Sequence, residues 1–79
     1  MENKRMQRIT VQSKANVEVA EKIGIIRSDN GDGWLIWLER GGNRAFVCGV
    51  NGPIVYKDMA TARRFIRRFR PDLAYSPTI

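Results

Sequence analysis

Ile25-Ile26-Arg27-Ser28-Asp29-Asn30-Gly31-Asp32-Gly33-Trp34-Leu35-Ile36-Trp37-Leu38-Glu39 is the stretch that decides the fold. Two apolar runs flank Asp29 to Gly33, a segment of Asp, Asn and Gly that tolerates positive φ, so the spacing predicts a hairpin with strands over 25–28 and 34–39. The second strand is apolar on both sides: Trp34, Ile36 and Leu38 point one way, Leu35 and Trp37 the other. One helix can cover only one such face. The other must meet a partner subunit, the N-terminal segment or a ligand, and Trp37 is there either as a second-layer core residue or as an aromatic stacking platform.

Working outward from the hairpin, Arg40-Gly41-Gly42-Asn43 reads as the next turn and Arg44 to Val50 as a third strand. Asn51-Gly52-Pro53 turns the chain into a short fourth strand, Ile54 to Tyr56. Asp58 is placed to cap a helix over Met59 to Arg70, and Pro71 stops its continuation. Upstream, Ile9 to Ser13 alternates as a short strand would. Residues 14–23 fit two periods: Val17 and Val19 alternate, whereas Val17, Ala20 and Ile23 make a helical stripe. Glu18 and Lys22 at i,i+4 favour a short helix ended by Gly24. Residues 1–8 and 74–79 read as flexible ends. The expected architecture is α+β in a single small domain. An antiparallel β-meander of about four strands carries a C-terminal amphipathic helix packed on one face.

Seventy-nine residues with a hydrophobic fraction of 43% suffice for one small domain. A chain this short buries only about 60% of its unfolded surface, so a homodimer interface would add to a thin core. Cys48 is the only cysteine, which precludes an intrachain disulfide. The N-terminus is polar and no apolar run approaches the roughly 20 residues of a bilayer span, so a cytoplasmic protein without a signal peptide is expected.

Charge is where the sequence points to function. The formal net charge is +6 and both ends are basic, with a near-neutral middle. Arg63, Arg64, Arg67, Arg68 and Arg70 all lie on the last predicted helix. At about 100° per residue, Met59, Phe65, Ile66 and Phe69 fall within roughly 60° of Ala62, and the five arginines fill an arc from about 80° to about 240°. One side is a core stripe and the other is guanidinium. Like charges at i,i+4, as in Arg63 with Arg67 and Arg64 with Arg68, destabilise a helix by ~0.2 to 0.5 kcal/mol a pair, which solubility alone does not require. Guanidinium groups donate paired hydrogen bonds to phosphate and desolvate readily. The expected partner is therefore nucleic acid, DNA or RNA, held through its backbone by Arg63, Arg64, Arg67, Arg68 and Arg70, with Lys57, Arg44 and Trp37 in support. Five neutralised phosphates would give a salt slope near −4.5 on duplex DNA. The alternative is a phage- or plasmid-type inhibitor or adaptor that uses the same basic face to bind a host protein, such as a nucleic-acid-processing or defence enzyme.

Enzyme chemistry is not expected. The chain has no histidine, the commonest general base and metal ligand. Cys48 sits in a predicted strand without an activating partner. The Gly-rich turns match neither phosphate-loop spacing nor a calcium loop, so no cofactor or metal is expected. The layout resembles that of single-strand binders built from a curved meander and a helix, and of tiny β-meander proteins of phages and plasmids, without a motif that names a family.

Overall fold

The central strand of the sheet is the doubly apolar one. In a computed structural model, which describes residues 8–73, it runs Trp34–Arg40 and is here called β2. Before it come a helix α1, Val11–Val19, and strand β1, Lys22–Arg27. After it come β3, Asn43–Phe46, the two-residue strands β4, Cys48–Gly49, and β5, Gly52–Pro53, then helix α2, Met59–Phe69, and a 3₁₀ turn, Pro71–Leu73. β1, β2 and β3 form an antiparallel sheet in chain order, and β4 and β5 pair with each other. The fold is α+β, as the sequence implies. Residues 1–7 and 74–79, where flexible ends are expected, lie outside the described residues; Arg8 is described and carries no regular secondary structure.

Register and chemistry fix the hairpins. Ile23, Ile25 and Lys22 face Leu38, Ile36 and Glu39 across the β1–β2 pair. Its turn is closed by the Ser28 N–H, which donates to the Gly33 carbonyl at 2.9 Å. Gly41 and Gly42 join β2 to β3 with φ of 56° and 85°, the two left-handed positions that a tight hairpin turn demands and that glycine takes without a Cβ penalty. Beyond the turn region, Trp34 and Tyr56 exchange backbone hydrogen bonds of 2.8 and 2.7 Å. β2 is thus flanked on its second side first by Tyr56 and then by β3. Its alternate residues, Leu35, Trp37 and Glu39, direct their backbone groups to β1. Ile23, Ile25 and Arg27 therefore turn theirs to the outer edge of β1, which pairs with no described strand and whose ends carry Lys22 and Arg27, charges that discourage edge pairing.

Four expectations need correction. Ile9 to Ser13 is not a strand: the Thr10 hydroxyl accepts from the Ser13 N–H at 3.1 Å and caps α1, which satisfies a donor the first helical turn leaves open. The Ser13 hydroxyl, buried, accepts from the Cys48 N–H at 2.8 Å, while the Thr10 N–H donates to the Cys48 carbonyl at 3.0 Å. Second, the helix ends at Ala20 and not at Gly24. Gly24 lies inside β1, which begins three residues before the predicted start at Ile25. Third, 44–50 is not one strand, because the chain breaks at Val47. That residue is fully buried, its N–H bound to the Ile36 carbonyl and its carbonyl to the Ile54 N–H. Fourth, 54–56 contributes the single bridge at Tyr56 rather than a strand. Ser13→Ala is expected to lower stability by about 1 to 2 kcal/mol, since it strands the Cys48 N–H. A denaturant titration with unchanged slope would measure it.

The core lies between the sheet and α2. Ile23, Ile25, Ile36 and Leu38 form its floor, Ala62 and Ile66 descend from α2, and Val17, Ala20, Val47, Ile54 and Tyr56 close the sides. α2 is the element the sequence describes best. Asp58 Oδ1 accepts from the Thr61 N–H and the Thr61 hydroxyl, both at 2.8 Å, and these bonds hold the Asp58 carboxyl below its ordinary range. The other sheet face carries Ile26, Leu35, Trp37 and Phe46. Trp37 lies flat on Gly24: a Cβ there would come within 2.4 Å of the ring atom Cζ2. From above, the Arg44 guanidinium covers the ring at 4.2 Å from its centroid, leaving the residue 5% exposed.

Candidate nucleic-acid interface

Helix α2 is amphipathic because its apolar residues recur at three and four, and burying that stripe leaves the opposite side in solvent. Arg63, Arg64, Arg67 and Arg68 are all exposed there. The helix is held at both ends, by the Asp58 cap and by the 3₁₀ turn, so the four guanidinium groups project from one rigid cylinder. Among the described residues none of the four is in a salt bridge; the two ion pairs found there are Arg44 with Glu39 and Arg70 with Asp72. Met59, Ala60, Arg63, Arg64 and Arg67 line an open hollow of about 310 Å³ on this side.

The remaining candidates are placed differently. Arg70, the C-cap of α2, turns inward. Its Nη1 donates to the carbonyls of Val17, Glu18 and Ala20 at 2.9, 3.4 and 2.8 Å, and Nε and Nη2 grip the Asp72 carboxylate at 3.0 and 2.8 Å. Arg44 is engaged by Glu39 at 3.0 Å and lies on Trp37. Trp37 is a packed residue whose faces are taken by Gly24 and Arg44, and its indole Nε1, buried, has no hydrogen-bond partner among the described residues. Lys57 is exposed in the bend that leads into α2. The arginine face thus holds four of the five arginines, with Lys57 at its N-terminal end.

A second feature beside this face goes unread in the sequence. Arg8, Lys14, Ile54, Tyr56, Phe65 and Phe69 line a groove of about 430 Å³ between α2 and the segment that enters α1. Tyr56, Phe65 and Phe69 pack along it as tilted rings, with successive centroids 6.1 and 4.6 Å apart. Burial pushes the Tyr56 phenol up to about 12. Cys48 is half-buried and its thiol points to the Phe46 carbonyl at 3.3 Å. No helix among the described residues is long and apolar enough to cross a membrane, and no group of three potential metal ligands occurs among them. No family model matches the chain, and comparison with curated proteins and with solved structures finds no match.

Proposed function

We propose that this chain is a non-enzymatic nucleic-acid-binding protein that grips the phosphate backbone with Arg63, Arg64, Arg67 and Arg68, with Lys57 beside them. The observation that carries this reading is the four-arginine face itself. It presents four cations from one held helix, none of them in a salt bridge with a described carboxylate, although Arg64 lies close enough to the Asp58 cap to attract it. Oxyanions of a polymer are the ligand such a surface suits, because each guanidinium donates two parallel bonds and a repeating anion meets several at once. Arg44 and Arg70 are left out because their charges are already engaged. Self-association, if it accompanies binding, has its apolar surface on the outer sheet face at Ile26, Leu35 and Phe46.

The test is fluorescence anisotropy with labelled oligonucleotides across a salt series. Four phosphate contacts predict a slope of log affinity against log salt of about −3.6 on duplex DNA and about −2.8 on single strands, shallower than five arginines would give. Binding that vanishes above low salt, or a slope near −1, refutes the reading and moves the search to an acidic protein surface.

A further inference from the structure

Resting on the nucleic-acid reading above, we propose that the groove beside α2 receives an unpaired base, so that the protein's ligand is single-stranded nucleic acid. Two adjacent rows on the helix make the argument. Arg64 and Arg68 form one i,i+4 row, and Phe65 and Phe69 form the row about 100° further round, which borders the groove. A strand whose phosphates lie on the arginine row has its bases directed across the phenylalanine row. Phe69 is 41% exposed at this rim although its ring also packs on Phe65. The Arg68 guanidinium stands 5.8 Å from the Phe69 centroid, so cation and aromatic surface are presented together.

Charge selects the occupant. The far wall carries Arg8 and Lys14, and no carboxylate among the described residues lines the groove. An apolar floor between two cationic rims suits a chain with anionic links and flat, stackable side groups. A duplex has its base faces occupied by stacking within the helix and can offer only phosphate. At about 430 Å³ the groove is in the size range of small-ligand sites and can admit a base.

The experiment compares the wild-type chain and Phe69→Leu on three labelled strands of equal length and charge: oligo-dT, oligo-U and an abasic DNA backbone. Leucine keeps the apolar contact with Phe65 but removes the π-face, and a thermal melt verifies folding. The wild type is expected to bind a base-bearing strand about five- to a hundredfold more tightly than the abasic one, the range one base–aromatic stack supplies. Phe69→Leu is expected to lose most of that preference while keeping abasic affinity. Oligo-dT against oligo-U then says whether the strand is DNA, RNA or either. Equal wild-type affinity for base-bearing and abasic strands overturns the groove proposal and leaves the arginine reading standing, as does an unaltered preference in Phe69→Leu. Failure of the wild type to bind any of the three overturns both.

Discussion

Reversing Arg64 and Arg67 to glutamate together is expected to weaken oligonucleotide binding at least about a hundredfold while leaving the melting temperature within a few degrees of wild type. A hydrogen-bonded contact to a charged group contributes about 1.5 kcal/mol or more, so losing two costs ~3 kcal/mol, beyond a factor of a hundred. The new carboxylates then repel phosphate as well. Stability moves little because both residues are exposed and because Arg64→Glu faces Arg68, and Arg67→Glu faces Arg63, at i,i+4. Two repulsive pairs become attractive, each worth only ~0.2 to 0.5 kcal/mol. Net charge falls from +6 to +2, since each reversal removes two units. A control with Arg27→Glu and Arg40→Glu makes the same change in charge on the sheet. The control is expected to retain most of the affinity, and equal loss in the two double variants would mean that generic charge, rather than the α2 face, attracts the ligand.

How far these residues could be read in advance depends on where each one's partner sits in the chain. α2 is legible because everything it needs is local: a stripe sustained over three turns, Asp58 at its start and Pro71 after its end. The β1–β2 hairpin is legible for the same reason, through its Asp-Asn-Gly turn. The N-terminal segment is misread because its deciding contacts are distant. Ile9, Val11 and Ser13 alternate with Thr10 and Gln12 as in a strand, and only the Cys48 backbone, which Thr10 and Ser13 both bind, makes those two a helix cap and a buried anchor. Gly24 looks like a helix stop because glycine commonly ends helices, whereas here its missing Cβ is the space Trp37 occupies. That contact, with Arg44 over the other side of the ring, buries the Trp37 half of the strand's second apolar face and leaves Leu35 part-exposed. The groove goes unread because Phe65 and Phe69 belong to the core stripe by spacing. Their place on its edge shows only once Ile54, Tyr56 and the Arg8 to Lys14 segment are set against them.

Arg70 is the sharpest case, and its replacement by alanine is expected to lower stability by about 1.5 to 3 kcal/mol with little effect on nucleic-acid affinity. By type and wheel position Arg70 belongs with Arg63. In the fold its side chain is only 19% exposed, and Nη1 serves three carbonyls at the end of α1, where a helix C-terminus leaves its carbonyls under-satisfied. The Ala20 N–H makes only a 3.4 Å bond back to Val17, so α1 has a weak cap of its own and depends on this guanidinium. The exposed Asp72 pair contributes little by itself and acts mainly by aiming the fork. Alanine removes the charged donor from two part-buried carbonyls and an exposed one, a loss in the range of about 1.5 to 3 kcal/mol. In a domain of this size that lowers the melting temperature by roughly 10 to 20 °C. Lysine restores the charge without the planar fork and is expected to recover only part of the loss. Below the melting transition, the Arg70→Ala protein should bind oligonucleotides within about twofold of wild type and with the same salt slope, because the contacts it loses are internal. A variant that melts like wild type but binds with a shallower slope would return Arg70 to the phosphate-binding face and remove it from the joint between α1 and α2.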